Sequence, residues 1–301
     1  MSLTAILLLV PASLIHALWN LAGKRQYPST SLFALSNLAA AMLMLPLPVY
    51  YWEKLANIPP AVWQLLAVTG FFQAGYYTSL ASAYRKGDMS LAYPLMRSFP
   101  AVLIAAVMVI AGRGYQFHGL YFGGVALVIL GCFILPMQRF SWLRVASCLD
   151  PCCRRAFLGA VFIASYTTTD SEALAFLRAT GEFTNAEATL VYAMLEATSI
   201  ALWLGLFVLA SGREERRRLA GILRAGKGTT LFVGISTYLC YGLVLASMAH
   251  VENVGYVAAF RQISIPMGVV LGVGLLREPA YLNKLLGTVL ISAGLAMVAL
   301  G

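Results

Sequence analysis

Charge is scarce in this sequence. Only 11% of its 301 residues are Asp, Glu, Lys or Arg, and 60% are hydrophobic. Soluble domains average about 25% charged and about 45–50% apolar residues. A soluble fold of this length has too little interior to hide so much apolar surface. The mean hydropathy of +0.79 therefore indicates a protein whose main solvent is lipid.

Groups that hold metals or nucleotides are also few. The three histidines are scattered, and none lies near the five cysteines in sequence, so we expect reduced thiols and no metal site at Cys132, Cys148, Cys152, Cys153 and Cys240. The segment from Gly221 to Lys227 resembles a phosphate-binding loop. However, Gly228 stands where a Ser or Thr must bind Mg²⁺, and no strand precedes the segment. We therefore expect no cofactor.

Ten apolar runs of about 20 residues predict an all-α polytopic membrane protein with ten transmembrane helices. Charged residues, Pro or Gly mark the ends of each run. The connections are at most about 20 residues long, too short for a soluble domain, so function must lie within the helices. The first run lacks a basic leader and is predicted to be an uncleaved span. The runs cover residues 3–22, 31–51, 61–84, 90–111, 117–136, 156–177, 187–210, 229–249, 254–276 and 282–300.

The loops between these runs differ in basic charge. Sixteen of the 21 Lys and Arg residues lie in odd-numbered loops, and three, Lys54, Arg113 and Arg178, lie in even-numbered loops. The positive-inside rule then places the odd loops in the cytoplasm and both termini outside. The net charge of +9 thus records membrane topology, and we expect no nucleic-acid partner.

The chain also resembles itself at an offset of 164 residues. Tyr77 then aligns with Tyr241, Arg97 with Arg261, and Gly123 with Gly287. This predicts a first five-helix repeat over 1–138, a central loop over 139–155 and a second five-helix repeat over 156–301. Since five is odd, the repeats must enter the membrane in opposite senses, an arrangement found in secondary transporters with a central substrate site.

Arginines at membrane depth are the strongest functional signal. Arg97 and Arg261 lie in the fourth and ninth runs, where a charged group costs at least ~2.5–3.5 kcal/mol. In one interpretation both bind an anionic part of a substrate. In the alternative, each binds backbone carbonyls at a helix break or pairs with a structural carboxylate. Pro94, Pro100 and Pro266 interrupt the backbone ladder in the same runs.

Carboxylates also lie within the predicted spans. Asp170 and Glu172 are in the sixth run and Glu196 is in the seventh. A buried carboxyl group exchanges protons near neutral pH, as a proton-coupled carrier requires. Asp170 and Glu196 are therefore candidates for proton coupling, although either could instead neutralise an intramembrane arginine.

Polar and aromatic residues at helical spacing predict further walls of the substrate site. Any single tyrosine among them could equally serve interfacial anchoring or helix packing. Glycine pairs Gly119–Gly123 and Gly268–Gly272 predict close helix packing. The complete candidate substrate site is His16, Trp19, Asn20, Gln73, Tyr76, Tyr77, Tyr93, Arg97, Tyr166, Asp170, Tyr238, Tyr241 and Arg261.

With these residues in hand, the chain resembles the drug/metabolite transporter superfamily, specifically its EamA-type carriers. The resemblance rests on His16-Ala17-Leu18-Trp19-Asn20 followed by Lys24, on the segment from Gly87 to Arg97, and on Leu276-Arg277-Glu278 with Gly287 and Gly294. It implies ten helices in two inverted repeats around a central cavity. The sequence departs from the family pattern at Gly114, where a Glu matching Glu278 is common, and in placing both termini outside.

The resemblance implies a carrier, not an enzyme, that exports amino acids, other metabolites or drugs across a bacterial inner membrane as a monomer or homodimer. The paired arginines favour a zwitterionic or anionic solute. A flippase for a lipid-linked headgroup is an alternative with similar architecture. A lipid-modifying enzyme is a weaker one, because the twelve acidic residues are dispersed rather than clustered for Mg²⁺–diphosphate.

Overall fold

The computed structural model describes residues 2–110, 119–137, 150–248, 250, 257 and 260–300. These residues form thirteen α-helices, and no β-strand occurs among them. The helices are α1 (Leu3–Arg25), α2 (Thr30–Leu43), α3 (Pro46–Tyr50), α4 (Trp52–Leu55), α5 (Pro60–Lys86), α6 (Met89–Ile110), α7 (Gly119–Ile134), α8 (Pro151–Ala179), α9 (Asn185–Ala210), α10 (Arg213–Ala225), α11 (Lys227–Met248), α12 (Ser264–Leu275) and α13 (Leu282–Leu300).

The prediction of an all-α polytopic membrane protein is confirmed. Five helical segments are long and apolar enough to cross a bilayer, namely Leu3–Arg25, Thr30–Tyr50, Met89–Val107, Asn185–Ala210 and Leu282–Leu300. The apolar helices α7 and α12 are shorter. The count of ten spans stays a prediction, and Arg113, Gly114, Cys148 and most of the predicted central loop lie outside the described residues.

Large aliphatic side chains are exposed in the middle of these helices. Leu202 of α9 is 65% exposed, and Val289 of α13 is 64% exposed. Soluble proteins rarely expose apolar surface of this kind over whole helix faces, because water does not solvate it favourably. Lipid is the medium that covers such faces.

Polar side chains set where several helices begin. The hydroxyl oxygen of Ser2 accepts a hydrogen bond from the backbone amide of Ala5 at 3.2 Å. At the start of α9, Thr184 and Glu187 form a capping box, in which each side chain accepts from the backbone amide of the other. Such caps satisfy amides that have no partner inside the helix. The positions of these polar residues thus fix the helix starts.

The chain divides into two compact units, and the division falls inside α5, α8 and α11. Unit 1 consists of Met1–Pro28, Ser79–Val161 and Ser236–Gly301, and unit 2 of Ser29–Thr78 and Phe162–Ile235. Each unit therefore combines segments from both predicted repeats.

Glycines bring α7 and α13 together in unit 1. A Cβ placed on Gly124 lies 2.6 Å from the carbonyl oxygen of Gly294, and one on Gly131 lies 2.8 Å from that of Gly287. Such close backbone approach needs small residues. Glycine packing was predicted one position away at Gly123, where a Cβ meets the flexible end of Met297 at 3.2 Å.

Unit 2 is built around α2, α5, α8, α9 and the short helix α10. Its apolar core contains buried side chains from the ends of α5, α8 and α9: Ile58, Val62, Leu66, Ala173, Leu177, Phe183, Ala188, Val191 and Tyr192. The helix α10 was not predicted within the loop over 211–228. It is held to α2 by Glu215, whose carboxylate accepts from the hydroxyl and amide of Ser31. Charged residues dominate the sequence of α10, so the helical spacing of its few apolar residues was overlooked.

Candidate functional site

A small cavity in unit 1 brings both intramembrane arginines together. Its volume is about 10 Å³, room for about one water-sized molecule. Helix α1 contributes one wall, Arg97 of α6 and two residues of α11 contribute others, and Arg261 and the start of α12 close it. The lining residues are Ala12, Ser13, His16, Arg97, Cys240, Val244, Arg261 and Ser264. We call this the arginine chamber.

Several buried polar atoms around the arginine chamber lack a hydrogen-bond partner among the described residues. They are Ser13 Oγ, His16 Nε2, Tyr93 Oη, Arg97 Nε and Ser264 Oγ. Buried polar groups in proteins are nearly always paired with protein groups or with ordered water. Here five such atoms come from helices that meet at one place. They can hydrogen-bond to a small polar molecule in the chamber.

The environment of His16 decides what its free nitrogen offers. The indole Nε1 of Trp19 donates to Nδ1 of His16 at 3.3 Å, and the two rings meet edge to face with centroids 5.2 Å apart. Because Nδ1 accepts this hydrogen bond, the proton of a neutral His16 must be on Nε2. His16 Nε2 is therefore a donor.

The chemistry of the arginine chamber is rich in donors. The two guanidinium groups supply positive charge and hydrogen-bond donors. The N–H of His16 and the hydroxyl groups of Ser13 and Ser264 can also donate. No carboxylate is among the lining residues. A guanidinium presents its N–H groups in a fixed fork that matches a carboxylate or phosphate. The chamber thus favours an anionic group with several acceptor oxygens.

Neighbouring residues hold the arginine chamber in shape. Tyr93 packs against Gly268 of α12, where a Cβ would lie 2.6 Å from its ring, and its ring centroid is 6.0 Å from that of His16. Asn20 is fully buried, donates to the carbonyl of His16 at 2.9 Å and accepts from the Tyr84 hydroxyl at 2.9 Å. Trp19 and Asn20 were predicted as cavity walls. In the structure both hydrogen-bond to His16, and neither lines the arginine chamber.

The two tyrosines predicted on α11 are placed differently. Tyr238 and Tyr241 are half-buried, and neither is among the residues that line the arginine chamber. Cys240 and Val244 of the same helix line it instead, and the Cys240 sulfur lies 3.8 Å from Nδ1 of His16. Cys240 was predicted to be an ordinary reduced thiol. Ser13 was not predicted as a site residue, although its position three residues before His16 places both on one helix face.

Unit 2 contains a second polar group, which we call the acid pair, formed by the half-buried residues Asp170 and Glu196. Asp170 accepts hydrogen bonds from the Tyr192 hydroxyl at 2.7 Å and from the Thr69 hydroxyl. Glu196 accepts from the side-chain amide of Gln73. Because Thr69 and Gln73 are four residues apart on α5, both carboxyl groups lie against the same face of that helix.

The surroundings of these carboxyl groups have a chemical consequence. Among the described residues, the side chains that hydrogen-bond to Asp170 and Glu196 are neutral, not lysine or arginine. Two carboxyl groups close together with neutral partners disfavour the state in which both are ionised, because the two negative charges repel each other. Glu172, the third predicted carboxylate, is exposed. The acid pair is therefore chemically suited to hold one proton.

The remaining predicted residues of unit 2 form an aromatic group beside Gln73 on α5. The ring centroids of Tyr76 and Tyr77 are 4.9 Å apart, and that of Tyr166 lies 6.1 Å from Tyr76. The ring of Phe33 packs on Tyr77 at 5.1 Å. Thr69 was not predicted as a site residue. It lies four residues before Gln73 and so shares its helix face.

A third polar group lies where several helices of unit 1 end. The carboxylate of Glu278 accepts from the amides of Met89 and Ser90 at 2.7 and 2.8 Å, and so caps the first turn of α6. The ammonium of Lys24 donates to the carbonyls of Tyr84 and Gly87 near the end of α5. These two residues connect α1, α5, α6 and the start of α13 through backbone groups.

Lys284 completes this group, which we call the helix-end network (Lys24, Asp88, Glu278 and Lys284). Its side chain is fully buried and donates to Asp88 at 3.0 Å, to the hydroxyl of Ser90 at 2.8 Å and to the carbonyl of Pro279 at 2.8 Å. Burial raises the pKa of the nearby Tyr281 phenol to about 12, so its hydroxyl stays protonated and donates to the Leu135 carbonyl at 3.3 Å.

Metal-ligating residues are not grouped in the described part of the chain. No set of three His, Cys, Asp or Glu side chains there lies close enough to hold an ion. Cys132, Cys152, Cys153 and Cys240 are buried free thiols.

Part of the chain matches a known family. Residues 3–137 match the EamA-like transporter family, which is part of the drug/metabolite transporter superfamily. The matched region contains α1 to α7, including His16 and Arg97. Comparison with curated proteins found no match. The members of the matched family are membrane transporters of small solutes, and they are not enzymes.

Proposed function

Residues 3–137 match the EamA-like transporter family, and we propose that the protein is a membrane transporter of small solutes, specifically a secondary carrier for anionic or zwitterionic metabolites. The single observation that carries the proposal is the arginine chamber. It joins Arg97, Arg261 and a donor nitrogen of His16 around one space, with unpaired buried polar atoms at its walls. The carrier works by alternating access.

A panel of solutes tests the charge preference of the chamber. We expect carboxylates, amino acids or phosphate esters to raise the melting temperature of the purified protein, since a ligand at 100 times its Kd stabilises the folded state by about 2.7 kcal/mol. Amines without an acidic group should have no effect. Uptake of the strongest stabiliser into proteoliposomes then establishes transport. Stabilisation by cationic solutes alone would contradict the proposal.

We also propose that the acid pair couples transport to protons. In each of the variants Asp170→Asn and Glu196→Gln, an amide replaces one carboxyl group, so only one group of the pair can bind and release a proton. A proton gradient should then no longer drive uphill accumulation of the solute into proteoliposomes, whereas exchange of labelled for unlabelled solute should continue. The measurement compares both assays, with and without an imposed pH difference.

The exposed carboxylate Glu172 gives a matched control for the acid pair. It lies on α8, two residues from Asp170, and Glu172→Gln should keep gradient-driven accumulation. If both acid-pair variants still accumulate solute as the unmodified protein does, the acid pair has no role in coupling.

We propose that both termini lie outside, which the distribution of basic residues supports. We also propose outward transport, which the resemblance to EamA-type carriers supports. A cysteine introduced by Ser2→Cys should react with a membrane-impermeant maleimide in intact cells, whereas one introduced by Arg217→Cys should react only after permeabilisation. Inside-out vesicles should accumulate the solute when a proton gradient is applied. The reverse labelling pattern would place the termini in the cytoplasm.

A further inference from the structure

Two adjoining cavities in unit 1 differ in chemistry. One, of about 330 Å³, is apolar and is lined by Leu95, Phe99, Cys132, Phe133, Pro136, Cys153, Arg154 and Phe157. The other, of about 230 Å³, is basic and is lined by Lys86, Pro151, Arg154, Arg155 and Leu158. Arg154 lines both cavities, so the basic cavity adjoins the apolar cavity at this residue.

The apolar cavity opens on a hydrocarbon-like surface. The rings of Phe99 and Phe157 meet edge to face with centroids 5.0 Å apart. Phe133 is 48% exposed and Phe157 is 45% exposed. These side chains lie on membrane-embedded helices, so their exposed faces meet lipid chains. Apart from Arg154, the lining residues carry no charge.

The basic cavity lies at the start of α8. Lys86, Arg154 and Arg155 are exposed, and within the described residues none of them forms an ion pair. The first turn of α8 contains no acidic residue, and the helix dipole adds partial positive charge at its start. Asp150 precedes this turn. Asp88, two residues after Lys86, is already paired with Lys284, so the three cations outnumber the carboxylates left to balance them.

We propose that these cavities together bind one anionic phospholipid of the surrounding bilayer, with an acyl chain in the apolar cavity and the phosphate at Lys86, Arg154 and Arg155. A zwitterionic phospholipid also carries a phosphate, but its own ammonium group offsets that charge and is repelled by the three cations. A soluble phosphate would leave the apolar cavity unfilled. Lys86 and Arg154 belong to odd-numbered loops, which the charge distribution places in the cytoplasm. Anionic lipids there are attracted to basic clusters beside membrane helices.

Quenching by brominated lipids tests the site directly. In the full-length Phe157→Trp variant, the introduced indole reports a brominated chain in the apolar cavity. We expect brominated phosphatidylglycerol to quench it at a several-fold lower mole fraction than brominated phosphatidylcholine. Adding Arg154→Gln or Arg155→Gln should weaken this preference roughly fivefold for each cation removed. The fluorescence of the five native tryptophans is subtracted using the parent protein.

A matched control reports ordinary bilayer contact. Val289 of α13 is 64% exposed, and the Val289→Trp variant should be quenched equally by the two brominated lipids. Equal quenching by both lipids in the Phe157→Trp variant would overturn the proposal. So would a preference unchanged in the arginine variants, or full competition by inorganic phosphate at constant ionic strength, which would indicate a soluble-anion site. Since single arginine variants change exposed side chains, folding is expected to be kept, and melting temperatures verify it.

Discussion

Replacing Arg97 with glutamine should lower the rate of solute uptake into proteoliposomes about 10- to 100-fold, because a hydrogen bond to a charged group contributes about 1.5–3 kcal/mol. Arg261→Gln should have a similar effect, since both guanidinium groups line the arginine chamber. The assay uses the solute that most stabilises the native protein, at a concentration below saturation. Lysine at either position should restore part of the rate, because it keeps the charge but loses the planar fork.

The melting temperature separates a functional role of Arg97 from a structural one. Arg97 is half-buried, and within the described residues its Nε has no hydrogen-bond partner and the guanidinium forms no ion pair. Arg97→Gln should therefore leave the melting temperature unchanged or raise it. A residue kept for binding often lowers the stability of the folded protein. If Arg97 is such a residue, its replacement should reduce uptake and retain stability.

Arg217 supplies the matched control for these arginines. It is exposed on α10, and Arg217→Gln should transport at the unmodified rate. Full uptake by both the Arg97 and the Arg261 glutamine variants would remove the arginine chamber from the mechanism.

The variant Asp88→Asn should destabilise the protein by about 3 kcal/mol, because it leaves the ammonium of Lys284 buried without its counter-charge. Lys284 is fully buried, whereas the side chain of Asp88 is 34% exposed. Lys284→Met should therefore cost less, since water can solvate the carboxylate that remains. Thermal unfolding of the purified protein in detergent gives the order of melting temperatures.

A double-mutant cycle isolates the interaction. Asp88→Asn combined with Lys284→Met should be more stable than Asp88→Asn alone, since the uncompensated charge is gone. The pair Lys54–Glu187, with side chains 35% and 26% exposed, gives matched controls. Lys54→Met should cost at most about 1 kcal/mol. Equal costs for Asp88→Asn and Lys284→Met, with no recovery in the double variant, would contradict this account.

The helices could be predicted from the sequence because apolar run length alone decides what crosses a bilayer. The predicted run over 187–210 and the observed α9, Asn185–Ala210, differ only at the start, where Thr184 and Glu187 form the cap. The helix α10 was missed since its sequence is dominated by charge, and its position depends on a tertiary contact between Glu215 and Ser31.

The candidate site was predicted less completely. A charged residue in an apolar run is visible without a structure, which is why Arg97, Asp170 and Glu196 were found. Cys240 and Ser264 were missed because serine and cysteine are common on packing faces, and only tertiary structure shows which face meets an arginine. The same holds for Lys284, whose place at a predicted helix end suggested a topology signal rather than a buried ion pair.

The helix-end network has a consequence for how these positions vary among related sequences. Lys24 and Glu278 bind carbonyl and amide groups of the backbone, which every residue type possesses. A change at Lys24 or Glu278 therefore requires no matching change at the positions they contact, such as Gly87 and Met89. Lys24 and Glu278 should appear as fixed single positions, whereas Asp88 and Lys284, which join side chain to side chain, should be replaced together as a pair.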